Sequence, residues 1–442
     1  MTNSNQLSFE FPPLKTVQTS RKIEVNFSGG EVTSDAGVIL LREIDRKLQL
    51  TKEFSKHLPD SRDPQFVEHT TLHMLRQRVY GLCLGYEDLN DQRSLRTDTL
   101  IQTAVGKDTV LASPSTLCRF ENRSDRTSAV AFHKILLEKF VLSFKSPPTE
   151  LILDFDATDD LVHGNQVGRF FHGYYRNYCF LPLYVFCGDQ LLVSYLRPSN
   201  IDGAKHAWAI SSLLVRRLRK AWPGVKIIFR GDSGFCRHRM LRWFERYGIE
   251  YVVGLPSNSR LSELTKVFTL QVEGEFNKTY LKQKRFSEFS YGANTWKAQR
   301  RVIVKAEHTD LGANTRYIVT NMTTDPQRLY ESVYCGRGNM ENRIKEQQLD
   351  LFADRTSCHN WWPNQFRLLL SSLAYVLMET LRREGLKQTE LSQTQVGTIR
   401  LKILKIGAVI IRNTKRIKIF ISSHYPYQNL FREVSQSLMS TA

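Results

Sequence analysis

The sequence predicts an α/β fold: a mixed sheet that carries the chemistry, preceded by a mainly helical region. Three observations predict it. Strand-like and helix-like runs alternate between Thr149 and Leu255, as in sheets covered by helices. The stretch from Ser34 to about Lys145 repeats apolar residues at helical spacing instead. Acidic residues collect where strand-like runs end, most densely in L-I-L-D-F-D-A-T-D-D at Leu151 to Asp160. A chain of 442 residues is also too long for one core, so two or three domains are expected.

Taken in order, residues 1 to about 20 are polar with two prolines and read as a loose arm. Thr33-Ser34-Asp35 reads as the cap of a helix through Val38, Leu40, Leu41 and Ile44. Further helices are predicted over Thr70 to Leu84 and Ala129 to Phe144, and Pro147-Pro148 marks a boundary. Leu151 to Asp156, Leu181 to Phe186 and Leu191 to Leu196 read as an antiparallel set of strands. Helix His206 to Trp222, strand Val225 to Arg230, helix Arg237 to Tyr247 and strand Tyr251 to Leu255 follow. Short alternating runs such as Val302-Ile303-Val304 and Tyr317-Ile318-Val319 predict a β-rich insertion over 257–322. The chain turns helical after Asp325-Pro326, and Phe366 to Arg383, apolar on most faces, reads as a buried helix. From Thr398 to Ile421 basic and apolar residues alternate in a tail.

The formal net charge of +18 suits a polyanionic partner, DNA or RNA. The seven cysteines form no C-x-x-C pair, which argues for free thiols in a reducing cytoplasm rather than a zinc site or a disulfide frame. No stretch reads as a signal peptide, and the longest apolar run, Leu368 to Met378, is too short for a membrane span.

Burying a carboxylate is costly unless it is paired or binds a cation. Asp154, Asp156, Asp159 and Asp160 at a strand end therefore suggest a hard ion such as Mg²⁺ or Mn²⁺. A second acid, Asp232, stands in V-K-I-I-F-R-G-D-S-G-F, where glycines permit close approach of a ligand. A third, Glu341, stands in Y-C-G-R-G-N-M-E-N-R-I-K-E-Q-Q, where helical spacing puts Tyr334, Arg337, Glu341 and Lys345 on one face, although Gly336 and Gly338 argue for a helix start near Asn339. Acids on three separate elements can hold two metal ions, with Arg337 and Lys345 offsetting phosphate charge. Blander readings stand beside these. Asp154 is either a neighbour of the metal site or an exposed strand acid. Asp159 and Asp160 read better as turn caps, His163 and His172 as loop polar groups, and Trp361 and Trp362 as core. Tyr334 and Arg337 fit packing as well as DNA contact, and Arg216, Arg217, Arg219 and Lys220 read as a solvated helix face, with phosphate contact as the alternative.

D-A-T-D-D at Asp156 to Asp160, G-D-S-G-F at Gly231 to Phe235 and Y-x-x-R-x-x-x-E at Tyr334 to Glu341 resemble bacterial insertion-sequence transposases of the DDE class. G-Y-E-D-L-N-D at Gly85 to Asp91 and S-P-S-T-L-C-R-F-E-N at Ser113 to Asn122 look like the group named for insertion sequence thirteen-eighty. The resemblance spans about Ser34 to Pro426. It implies an RNase H-like catalytic domain with a β-rich insertion, and Asp156, Asp232 and Glu341 as catalytic, metal-binding acids, with Asp156 chosen over Asp154 by the following small residue and Thr158. The family motif expects a Lys where Gln348 stands, which leaves Lys345, one turn after Glu341, for the phosphate. Tyr334, Arg337, Lys345 and, in the insertion, Trp296 are then DNA-binding candidates.

The expected organisation is a mainly helical DNA-end-binding region over 1–148, a catalytic domain in two parts over 149–256 and 323–390 around the insertion, and a basic tail over 391–442. The resemblance implies a transposase with two Mg²⁺ (or Mn²⁺) ions that binds terminal inverted repeats and target DNA. It also implies a homodimer in a synaptic complex, in the bacterial cytoplasm at the nucleoid. A metal-dependent nuclease without strand transfer and a non-catalytic DNA-binding protein are the alternatives.

Overall fold

The computed structural model describes residues 9–15 and 20–440. Two compact units emerge, one drawn from Met1–Thr51, Ser61–Phe120 and Thr380–Ala442, the other from Lys52–Asp60 and Glu121–Glu379.

The second unit is built on an eight-stranded sheet: β1 (Glu150–Ala157), β2 (Leu183–Cys187), β3 (Gln190–Tyr195), β4 (Lys226–Gly231), β5 (Glu250–Leu255), β6 (Gln283–Tyr291), β7 (Arg300–Thr309) and β8 (Gly312–Thr320). Across the sheet the order is 6-7-8-5-4-1-2-3. β1, β4 and β5 run parallel, and β2 is antiparallel to both β1 and β3. The order 3-2-1-4-5 with only β2 reversed is the RNase H-like arrangement. The expected insertion is no separate module: its three strands extend the sheet, β8 pairing antiparallel with β5 from Val252↔Thr320 to Leu255↔Tyr317. It also opens with a long helix where strand was expected.

Helices cover both faces, as a parallel sheet requires. Side chains alternate along a strand. Leu151, Leu153 and Phe155 of β1 therefore face one way, into a core with Phe229 of β4 and with residues of α1 (Arg126–Leu142), α2 (Ala207–Ala221), α3 (His238–Arg246) and α4 (Ser259–Thr279). Asp154 and Asp156 face the other way. On that face Ile228, Val252, Ile303 and Ile318 meet Leu329 and Tyr330 of a helical run from Pro326 to Asp350. Local chemistry fixes several ends. The Asp125 side chain accepts from Ser128 N at 2.8 Å to start α1, Asn258 does the same from Leu261 N at 3.0 Å for α4, and Asp325 precedes Pro326 at the start of the run. The run passes through tight and wide turns and contains α5 (Gly338–Lys345), so it continues through both glycines. α6 (Trp361–Thr380) lies on the same face, with Ser372 Oγ 2.7 Å from Ser194 Oγ of β3.

In the first unit, Phe9–Lys15 pairs with Ser20–Val25, so the arm expected to be loose forms a ribbon there; residues 1–8 and 16–19 lie outside the described residues. Asp35 caps nothing. It is buried against Lys405 (2.8 Å) and the Tyr86 hydroxyl (2.7 Å), and Gly37 precedes the helix Val38–Leu48. Tyr86 belongs to the G-Y-E-D-L-N-D motif, which here has a structural role. The tail is paired too: Ala408–Arg412 lies between Ile417–Ile421 and Glu31–Thr33 in a small sheet. Among the described residues no helix is long and apolar enough to cross a membrane.

Candidate active site

The site forms where β1 and β4 end. Their register pairs Arg230 with Asp154 and Gly231 with Phe155, so the next residues, Asp156 and Asp232, come side by side, Asp156 still paired with Tyr184 of β2 and Asp232 just past the end of β4. A crevice at the carboxyl ends of parallel strands is the usual ligand site of such sheets. After Gly231 the chain turns sharply, and Asp232 Oδ1 accepts from Gly234 N at 2.9 Å. β5 must come close to this turn. A Cβ on Gly254 would stand 2.7 Å from Ser233 N and 2.8 Å from the Tyr334 hydroxyl, which is why a glycine is needed there.

Arg230 and Asp154 anchor the third element. Both are buried, and Arg230 donates two hydrogen bonds to the Asp154 carboxylate, the longer at 2.7 Å. Arg230 Nη1 also donates to the Val333 carbonyl, and a Cβ on Gly336 would stand 2.6 Å from that nitrogen. The helical run is thereby pinned to the sheet, and one turn later it presents Arg337 and then Glu341. Asp154 is therefore neither exposed nor available to a metal.

Asp156, Asp232, Glu341, Arg337, Lys345 and Gln348 line one open cavity of about 580 Å³. Arg337 lies between two of the acids, with Nη2 2.6 Å from Glu341 Oε1 and Nη1 3.4 Å from Asp156 Oδ2. The Asp156 carboxyl is pushed up to about 7: burial raises it most, Arg337 pulls it down, and Asp232 and Glu341 add to the rise. Gln348 Nε2 donates to the Asp159 carbonyl at 3.0 Å, so this departure from the expected Lys ties the helical run to the loop after β1. Lys345 is exposed at the cavity. Tyr334 lies below the turn at Gly254, and burial raises its phenol.

Trp296 does not line this cavity. It packs edge-on to Tyr291 at 5.7 Å and lies under the Arg300 guanidinium. Asp160 is buried and Trp361 packs edge-on to Phe180. Arg217 of the basic run pairs with Glu138. The sequence reading missed an overhanging hairpin. Phe170–His172 and Asn177–Phe180 pair with each other, and His172, Tyr174 and Tyr175 near its turn line the cavity. Tyr175 donates to the Ala157 carbonyl at 3.3 Å. The aromatic run Phe170-Phe171…Tyr174-Tyr175…Tyr178 was the available signal.

The all-oxygen donor set fits a hard divalent cation in chemistry. Three carboxyl groups line the cavity, and two of them share the one guanidinium of Arg337. In geometry, among the described residues no three His, Cys, Asp or Glu side chains are gathered as ligands of one ion. Arg337 stands where Asp156 and Glu341 would have to converge, so ion binding requires its guanidinium to move.

No curated protein matches the chain by sequence. A solved piggyBac transposase synaptic complex with hairpin DNA is similar over 92% of this chain and 82% of that chain, at 11% identity and a TM-score of 0.45. The family model described as transposase DDE domain group 1 matches residues 15–442. That span takes in the whole sheet and all three acids of the cavity: the chain belongs to the DDE-domain transposase family.

Proposed function

We propose that the protein is the transposase of an insertion sequence of the thirteen-eighty group. It binds the element's terminal inverted repeats, hydrolyses a phosphodiester at each end and joins the freed 3′-hydroxyl to target DNA. The observation that carries this reading is the meeting of Asp156, Asp232 and Glu341, from three separate elements, in one open cavity with Arg337 and Lys345.

Asp156, Asp232 and Glu341 would hold two Mg²⁺ or Mn²⁺ ions, which supply activation of the attacking oxygen and charge stabilisation at the leaving oxygen. The chain's own groups do the rest. Asp232, fixed by Gly234 N, and Asp156, fixed by the strand register, offer oxygens in a set geometry. Arg337 leaves the carboxylates for the scissile phosphate, where its planar fork matches two phosphate oxygens. Lys345 adds a point charge in place of the Lys that Gln348 replaces, and Tyr334 supports the Asp232 turn beside the backbone. Trp296 serves DNA from the insertion. The helical region over 1–148 reads the terminal repeats, the basic tail adds contacts, and two subunits act on two ends in a synaptic complex at the nucleoid.

The test is cleavage of a supercoiled plasmid carrying the element's ends, in Mg²⁺, by wild type, Asp232→Ala and Glu341→Ala. Cuts at the ends that vanish in both variants, followed by joining of a pre-cleaved 3′ end, are expected. Cutting without joining would favour a nuclease. End binding without any cutting would favour a non-catalytic DNA-binding protein.

A further inference from the structure

A second cavity, of about 810 Å³, lies beside the acid pocket. The two share a wall. Gly203 lines the first while Asp202 and Ala204 line the second, and the turn from Asp232 passes Phe235 in the first and reaches Arg237 in the second. The second cavity is a groove between the start of α2 and the length of α3.

The sequence of α3, H-R-M-L-R-W-F-E-R, divides cleanly. Met240, Leu241 and Phe244 are buried against the sheet, while Arg239, Arg242 and Arg246 are exposed at i, i+3 and i+7 on one face. Between these cations runs an aromatic ladder. Trp208 of α2 is 52% exposed and stands edge-on to Trp243 at 6.4 Å, and Trp243 lies 4.9 Å from Tyr247. The one acid that lines the groove, Asp202, is already paired with Arg237. Burial lowers the His238 imidazole, Arg300, Arg242 and Lys297 push it the same way and Glu245 opposes them, so the loop between β6 and β7 adds the charge of Lys297 to this side. Among the described residues Arg239, Arg242 and Arg246 meet no acid, and a tryptophan left half in water beside them suits a ligand with both a π-face and negative charge.

We propose that this groove is a second nucleic-acid subsite, which receives an unpaired stretch of the DNA strand leaving the acid pocket, a base stacking on Trp208 and phosphates meeting Arg239 and Arg242. Aromatic platforms interleaved with cations are how proteins hold single strands. A duplex keeps its bases stacked on each other, so Trp208 would discriminate between the two. The inference rests on the proposed DNA substrate, and its test is separable from that reading.

The full chain is titrated with a fluorescein-labelled oligothymidylate of about 12 nucleotides, within the usual site size for a single strand, and with a duplex of the same length, following anisotropy. Trp208→Ala and Arg239→Ala/Arg242→Ala change exposed side chains. Each is expected to weaken oligothymidylate binding about tenfold, with Trp208→Phe restoring most of it. Trp208→Ala should leave duplex binding unchanged. The double arginine variant should lower the salt dependence by a slope of about 1.4, for two phosphates. Wild-type binding of the oligothymidylate by either variant overturns the proposal and hands the groove to a protein partner. Equal losses on the duplex overturn it too. Failure of the plasmid to be cut by wild type, with oligothymidylate binding lost in the variants, would sink the proposed function and leave the groove.

Discussion

Two carboxylates two positions apart on β1 face the same side of the sheet and have opposite fates. Asp154 is closed off: Arg230 binds both its oxygens, and the pair is buried between sheet and helix. Asp156 is open: its nearest cation, Arg337, is 3.4 Å away, is shared with Glu341, and stands at an open cavity. The inner pair satisfies its charge and fixes the helical run. The outer group is left with charge unsatisfied, at the place where a cation and a phosphate would satisfy it. Position along one strand thus separates a closed ion pair from an accessible carboxyl group, because each step toward the strand end trades burial for access.

The largest expected effect breaks the outer side. Asp156→Asn should cut end cleavage by about a thousandfold or more, the equivalent of about 4 kcal/mol on a barrier, while the protein stays folded by circular dichroism. Measurable end cutting by this variant within tenfold of wild type would remove Asp156 from the site. Next comes the inner side. Arg230→Met strands a buried carboxylate, which typically costs about 3–5 kcal/mol. Urea unfolding should show that loss, and Asp154→Leu added to Arg230→Met should recover most of it. A single variant as stable as wild type would mean that the pair is not the anchor described.

The contrast also explains what the sequence could reveal. The alternation of strand and helix from β1 to β5 was legible because each run carries its own period and its own turn residues. The three acids were legible as strand-end or helix-face acids. The motif residues after Asp156 already set it apart from Asp154, but the pairing that closes Asp154 off was not legible, because its partner lies 76 positions away and only the register of β1 and β4 brings it there. α4 was hidden by its own composition: Thr265, Val267, Thr269 and Val272 favour strand, and packing of Leu261 and Thr265 against the sheet prevails. The tail read as an independent basic segment because nothing local announces that Ala408–Arg412 pairs with Glu31–Thr33.

Arg337→Ala should lower end cleavage about a hundredfold, the cost of losing one transition-state donor. Mn²⁺ binding to the DNA-free protein, followed by calorimetry, should tighten several-fold as two carboxylates lose a competing cation. Weaker Mn²⁺ binding instead would make Arg337 a support of the metal site rather than its occupant.

The smallest effect is on stability against pH, in the metal-free protein. Asp156 is held up to about 7, well above its ordinary value of 3.8. A raised folded pKa contributes stability that is full below the unfolded value and is lost as pH rises through the folded one. Asp156 therefore favours folding at pH 4 and progressively ceases to do so up to about pH 7, where its charge must sit against Asp232 and Glu341. Asp156→Asn has no such loss, so its melting temperature should exceed that of wild type by more at pH 8 than at pH 5. Mg²⁺ should raise the wild-type value at pH 8 and have little effect on the variant. Melting curves of the two proteins that stay parallel across this range would mean that Asp156 is ionised throughout, and that Arg337 alone already satisfies the outer pair as Arg230 satisfies the inner one.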